Sequence, residues 1–377
     1  MNIPLARPDI TQHEIDAVVA VLKTPNLSLG PMLPEFERRF ADRCGTRYAV
    51  AVSSGTAALH LLVRGMEWGD GDEIITTPFS FVASTNCILY ERAKPVFADI
   101  DPKTWNIDPS AVAAAVTERT KGIIAVDVFG QIADFDPIQC VADRHNLKVI
   151  EDSCEALGGR YHGRQAGSIA DAGVFGFYPN KQITTGEGGL IVTNDKDLYK
   201  KALLMRSHGL VNWQGPFDDV FGPWHREMVM EGLNFRITEF QCMLGVSQLK
   251  KIDRFIAHRT KLAAHYHERL KDAPVRLQVQ SEASRSAWHM MIVLLELEKL
   301  SKGKLRIFNE LEARFIHPSI HYYPIPFHPF YRDLGFEEND FPMAADYYKR
   351  AFTMPMHVGL EIEDVDYVCD VLIDVLS

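Results

Sequence analysis

The chain has 377 residues, of which 40 are Lys or Arg and 50 are Asp or Glu, for a formal charge of −10, and 46% of it is apolar. That composition excludes disordered and fibrous classes and is long enough for two domains at about 100–200 residues each. The acidic balance, with no basic block interleaved with aromatics, argues against nucleic acid as a partner. Apolar runs such as Met290–Leu295 fall far short of the ~20 residues that span a bilayer, and Met1–Arg7 lacks a signal-peptide pattern, so a cytoplasmic enzyme or binding protein away from membranes is expected.

In chain order, helical periodicity covers residues 10–24, and a second helix is predicted over Leu33–Cys44 after the Gly30-Pro31 break. Short runs rich in Val, Ile and Phe follow at Ala49–Val52, Glu73–Thr76, Pro95–Ala98, Gly122–Val128, Lys148–Glu151, Val174–Phe177 and Leu190–Thr193. Helix-forming stretches such as Ala57–Val63 separate them. Strands buried on both faces and alternating with helices predict an α/β fold with a mostly parallel, doubly covered sheet. From Thr238 to about Leu270 the pattern reads as one long helix. A strand over Trp288–Leu297, a helix over Lys302–Arg314, an aromatic loop from His317 to Tyr331 and a terminal helix near Val365 complete a smaller α+β part. The expected division is 1–250 and 251–377. The six cysteines are scattered and predict reduced thiols. Neither they nor His317, His321 and His328 make a metal pattern, so no metal site is expected.

Ligands of open parallel sheets bind beyond the carboxyl ends of the strands, and four polar or aromatic positions fall there. Ser54-Gly55-Thr56 joins a strand to a helix, where free N–H groups and the helix dipole suit a phosphate, or where Ser simply caps the helix. Asp152 ends a strand and can hold a protonated ring nitrogen, bind a ribose or a metal, or cap a helix. Lys181 lies between two strands, followed by the Gly-rich turn Thr184–Gly189. There its amine can lose solvent and act as a nucleophile toward aldehydes, although a surface lysine is the common outcome. Phe81 follows a strand and can stack on a planar group or serve the core. The absence of G-x-G-x-x-G and of a Walker lysine argues against nicotinamide and nucleoside triphosphate sites. A phosphate turn, an aromatic, an aspartate and a lysine, in that order, together suit pyridoxal phosphate.

The segments Ile3–Asp9, Leu29–Pro31, Ser53–His60, Phe129–Gln131, Glu151-Asp152, Tyr178–Gly189, Arg206–Gly209 and Gly232–Glu239 resemble those of the DegT/StrS sugar-nucleotide aminotransferases, fold-type I enzymes that use pyridoxal phosphate. The resemblance covers nearly the whole chain. It implies that Lys181 bonds the cofactor's aldehyde and later shuttles a proton, that Asp152 pairs with the pyridine nitrogen, and that Phe81 stacks on the ring. It also implies that Gly55 and Thr56 hold the phosphate and that Asn234 reaches the phosphate of a neighbouring subunit's cofactor, making a homodimer with shared sites.

Two positions depart from that pattern. Gly176 stands where the family commonly has a phosphate-binding serine, and Glu155 where it commonly has Gln or His beside the cofactor's phenolic oxygen. An ionised Glu155 only accepts hydrogen bonds, so it or the phenol carries a proton, or its side chain points elsewhere. The implied reaction moves an amino group from L-glutamate to a nucleotide-linked keto-deoxy sugar, most simply a 4-keto-6-deoxy sugar, with Gly30, His321, Tyr322 and His328 near the acceptor. The alternatives are a 3-keto acceptor, a non-catalytic binding protein on the same fold, and a dehydratase of that fold; Lys181 disfavours the dehydratase, which has histidine there.

Overall fold

The computed structural model describes residues 3–216 and 218–377. Helices α1 (Gln12–Leu22) and α2 (Met32–Cys44) precede a seven-stranded sheet. Its strands are β1 (Tyr48–Val52), β2 (Glu73–Thr76), β3 (Lys94–Phe97), β4 (Thr120–Val126), β5 (Lys148–Asp152), β6 (Ala172–Gly176) and β7 (Gly189–Thr193). They lie in the order β1-β7-β6-β5-β4-β2-β3. Pairing is parallel from β3 through β2, β4 and β5 to β6. Only β7 is reversed, antiparallel to both β1 and β6. The cause is its connection: residues 177–188 contain no helix, and without a crossover the chain returns antiparallel.

The apolar runs are explained by burial on both faces. Ile75, Ala125, Val149 and Leu190 join one core with Phe36, Phe40 and Phe135. Their neighbours Ile74, Ile124, Ile150 and Ile191 join the opposite core with Leu59, Leu62 and Met205. This alternation has the two-residue period of a strand, and each Val, Leu, Ile, Phe or Met side chain so taken from water contributes roughly 1.5–3 kcal/mol. The helices that cover the sheet are α3 (Gly55–Gly65), α4 (Ala83–Tyr90), α5 (Pro109–Ala115), α6 (Phe135–His145) and α7 (Lys196–Arg206).

The predicted helix over 238–270 is broken in two, α8 (Glu239–Leu249) and α9 (Ile252–Leu270). At the break Lys251 Nζ reaches the buried Glu14 Oε2 at 2.7 Å, a long-range partner that periodicity cannot reveal. Along α9, Ile252, Phe255 and Ile256 pack into the first core. Further on, Leu262, Ala263, Tyr266 and Leu270 pack into a C-terminal core. That core contains β8 (Val275–Leu277), β9 (Met291–Leu295) and β10 (Ala351–Met354), antiparallel in that order, with α10 (Lys304–Glu312) and α12 (Ile362–Leu376), while α11 (Pro342–Arg350) packs Ala344, Ala345 and Tyr347 with Phe79, Trp105 and Phe129. The strand expected over 288–297 is therefore shorter at both ends. No helix among the described residues is long and apolar enough to cross a membrane.

Candidate active site

A pocket of about 530 Å³ opens at the carboxyl ends of β1, β2, β4, β5 and β6, where the sequence places its candidate residues. Its walls include Gly55, Thr56, Phe81, Asp152, Cys154, Glu155, Gly176, Lys181, His321 and Tyr322. Three of the expected positions lie outside it. Gly30 packs against Glu239, whose carboxylate accepts the Met32 and Leu33 N–H groups at the start of α2. His328 sets its ring edge against Tyr323 at the head of a short helix, Pro329–Arg332. Asn234 is exposed and bridges to Ser207.

One end of the pocket is a phosphate-sized cup. Ser54 caps α3 by accepting from the Ala57 N–H at 3.0 Å. The first-turn N–H groups of Gly55 and Thr56 have no intrahelical acceptor, and they sit at the positive end of the helix dipole. Glycine keeps this cup open: a Cβ on Gly55 would lie 3.0 Å from Cys154 Sγ and 3.4 Å from Gly176 Cα.

Another wall of the pocket carries the carboxylate. Asp152 ends β5 with its side chain buried, accepting from Ser84 Oγ at 2.8 Å and from the Cys154 N–H at 3.2 Å. Burial pushes its carboxyl up, against the pull of the hydrogen bonds from Cys154 and Ser84. A buried carboxylate so raised has room for one more donor that carries positive charge, which is what a protonated ring nitrogen offers. Ser84, in the first turn of α4, has no signal in the sequence beyond its closeness to Phe81. Phe81 itself is 60% exposed on the pocket rim, and such exposure of an apolar ring suits a face awaiting a planar partner.

Lys181 reaches Glu155: Nζ lies 3.4 Å from Oε1, with the lysine side chain only 15% exposed. Glu155 also accepts the Tyr322 hydroxyl at 2.5 Å on Oε1 and the Phe129 N–H at 2.8 Å on Oε2. Burial alone would raise this carboxyl, but the Lys181 ammonium and then His289, with the Tyr322 and Phe129 donors, bring it down to about 2. Burial and the Glu155 charge push the Tyr322 phenol up, so it stays a donor. Of the options left by the sequence, the one in which Glu155 points elsewhere is excluded, since its Oε1 faces the lysine. Behind it lies His289, buried at 2% exposure, which the sequence does not single out because β9 joins the site only through the tertiary fold.

The residues present thus fit pyridoxal phosphate: a buried amine for its aldehyde, a carboxylate for its ring nitrogen, an aromatic face and a helix N-terminus for its phosphate. Residues 8–373 match the model of the DegT/DnrJ/EryC1/StrS aminotransferase family. GDP-perosamine synthase of Caulobacter vibrioides is 37% identical over 378 residues, covering 100% of this chain and 98% of that protein. Helicobacter pylori PseC, an aminotransferase involved in the biosynthesis of pseudoaminic acid, superposes with a TM-score of 0.93 at 33% identity, covering 100% of this chain and 99% of PseC. A candidate sugar aminotransferase of Streptococcus pneumoniae in its PLP form gives a TM-score of 0.92 at 30% identity, covering 100% and 98% of the two chains. Site geometry, whole-length family match and these likenesses converge: the chain belongs to the DegT/DnrJ/EryC1/StrS family, as a pyridoxal phosphate-dependent aminotransferase.

Proposed function

We propose that this aminotransferase takes its amino group from L-glutamate and delivers it to the keto carbon of a nucleotide-linked 4-keto-6-deoxy sugar, as a cytoplasmic step in making an amino sugar. The observation that carries the reading is the placing of Lys181 and Asp152 on walls of one pocket with the α3 N-terminus at its end. The two relatives whose names mention perosamine and pseudoaminic acid support a sugar acceptor.

When bound, the cofactor supplies an aldehyde that takes up the amino group and a ring that absorbs the electrons left on carbon. The chain's own residues do the rest. Lys181 would hold the cofactor through its side-chain amine, and the same Nζ would carry a proton to and from the substrate carbon. Asp152 would keep the ring nitrogen protonated. Phe81 would offer its face to the ring, and the N–H groups of Gly55 and Thr56 would hold the phosphate. Glu155, ionised and fixed by Tyr322 and Phe129, stays beside the lysine nitrogen. His321 and Tyr322 face the acceptor from the loop after α10; Gly30 and His328 lie too far round the fold to line their own chain's pocket.

The enzyme works as a homodimer with shared sites on this reading. Among the described residues of the pocket wall Lys181 is the only lysine or arginine, yet cofactor, glutamate and nucleotide all bring negative charge. Asn234, exposed away from its own pocket, is free to reach a second copy's phosphate. The two parts of the chain meet near residue 250, where α8 gives way to α9.

The test is an absorbance spectrum of the purified protein before and after L-glutamate. Loss of the visible band and growth of a near-ultraviolet band, followed by recovery on adding a nucleotide-linked 4-keto-6-deoxy sugar, is the expected result. A band that ignores glutamate refutes the donor, and recovery with only 3-keto sugars refutes the acceptor. Mixing Lys181→Ala with Asn234→Ala subunits checks the shared site, since hybrid dimers are expected to regain activity that neither parent shows.

A further inference from the structure

A second, small cavity of about 20 Å³ adjoins the catalytic pocket and shares Asn180 and His321 with its wall. The remaining lining is mostly apolar, including Met290, Met354 and Met356, but His289 also faces it. Both ring nitrogens of His289 are buried without a hydrogen-bond partner, and so is Oδ1 of Asn180. Unpaired buried polar atoms on two residues that line one small space are unusual, since buried polar groups are nearly always satisfied by protein or by ordered water. The cavity is large enough for one water, which needs about 10–15 Å³.

The charged and titratable groups acting on His289 are Lys181 and Glu155 from the active site, Arg259 from α9 and His321 from the loop after α10. Burial first, and then the Lys181 charge, holds its imidazole well below the ordinary range, so the ring is neutral, with one donor and one acceptor. Nε2 lies 3.7 Å from Glu155 Oε1, beyond a hydrogen bond, on the same oxygen that Tyr322 and Lys181 approach, while the Phe129 N–H serves Oε2.

We propose that this cavity binds a single water, held by His289 Nδ1 and Asn180 Oδ1, and that His289 so anchored is a positioning residue that turns its Nε2–H toward Glu155. The water donates one hydrogen to each acceptor, which fixes the tautomer and leaves the Nε2 proton for the carboxylate side. The carboxylate is then held in place beside the Lys181 nitrogen. This rests on the assignment of the pocket to pyridoxal phosphate for its catalytic meaning, though not for the water or the tautomer.

The test has two parts. In crystals of the holoenzyme, density for one water within hydrogen-bond distance of His289 Nδ1 and Asn180 Oδ1 is expected, and ¹⁵N shifts of the wild-type histidine are expected to show Nε2 protonated. An empty cavity or the opposite tautomer overturns the proposal, and neither readout depends on the reaction. In His289→Phe the pH midpoint of the cofactor's visible band is expected to fall by about one unit, with partial recovery in His289→Gln. An unchanged midpoint in a folded His289→Phe overturns the positioning role. Absence of any visible band in the wild type would instead refute the functional reading and leave the crystal and ¹⁵N results to decide the water.

Discussion

Directly behind Asp152, one hydroxyl stands between two buried carboxyl groups, and its proton count makes a prediction. Ser153 Oγ lies 2.7 Å from Asp127 Oδ2 and 3.0 Å from Glu151 Oε1. A serine has one proton to give, so two ionised carboxylates cannot both be satisfied. Glu151 already accepts the Gly167 N–H on Oε1 at 2.6 Å and the Ile169 N–H on Oε2 at 2.9 Å. Asp127 accepts the Ala133 N–H on Oδ1 at 3.0 Å, leaving Oδ2 to the serine alone. The extra proton therefore sits on Asp127 Oδ2 and is donated to Ser153, which donates to Glu151. Burial, and then the Glu151 charge, push the Asp127 carboxyl well above its ordinary range, in agreement with this assignment. A group raised in the folded state contributes stability in full below its unfolded value, near pH 4. That contribution is lost as pH climbs toward the folded value. A side-chain amide in place of this carboxyl would donate and accept at the same two points without needing a proton. Asp127→Asn is thus expected to match the wild type near pH 4 and to exceed it at pH 7. Each pH unit climbed between the unfolded and the folded value adds about 1.4 kcal/mol to the gain, so the difference should widen steadily with pH. Urea unfolding of both proteins at matched concentration, from pH 4 to pH 8, measures it. A variant less stable than wild type at pH 7, or a difference that does not widen with pH, would refute the proton assignment. Ser153→Ala, by contrast, should cost about 1–3 kcal/mol by leaving the two carboxyls unbridged.

Three further predictions concern the cofactor. Lys181→Ala should lose at least about a thousandfold in turnover while staying folded, as checked by steady-state rates and circular dichroism; near-normal transamination would remove Lys181 from the chemistry. Asp152→Asn should retain the cofactor through dialysis yet lose about a hundredfold or more in rate, because the amide cannot hold the ring proton. Gly55→Val should bind the cofactor about tenfold or more weakly by fluorescence titration, since its Cβ meets Cys154 Sγ at 3.0 Å; unchanged affinity would place the phosphate elsewhere.

What the sequence shows of this site is what the chain places next to itself. Gly55, Asp152, Lys181 and Phe81 each follow an apolar run, and in a sheet of parallel strands the ends of those runs share one edge, so order along the chain becomes proximity in space. The doubly covered sheet is legible for the same reason, because burial on both faces leaves no polar alternation in the runs. The reversal of β7 is not, since an apolar strand reads alike in either direction and only the missing helix before it hints at the return. The donors that define the carboxylates are likewise hidden. Ser84 is 68 residues from Asp152 and Tyr322 is 167 from Glu155, and neither separation leaves a periodic trace.

Glu155 shows why that distinction matters chemically. Read alone, a glutamate where the family commonly has Gln or His is a weakness, an acceptor without a fixed donor. In the fold it has three donors from three places: the Lys181 amine, the Tyr322 hydroxyl and the Phe129 N–H. Burial is the largest single influence on this carboxyl, and it takes the lysine's charge together with His289 and the Tyr322 and Phe129 donors to outweigh it, which is the condition under which a buried carboxylate stays ionised. The pair is mutually dependent. Replacing Lys181 removes the cation that keeps Glu155 charged, so the carboxyl in Lys181→Ala should take up a proton at neutral pH and become a donor to Tyr322 or to the cofactor. Loss of activity in that variant then combines the missing amine with an altered Glu155. Comparing Lys181→Ala with the double variant Lys181→Ala, Glu155→Gln separates the two: equal cofactor spectra mean Glu155 is already neutral in the single variant, whereas a further shift means it has remained charged without the lysine.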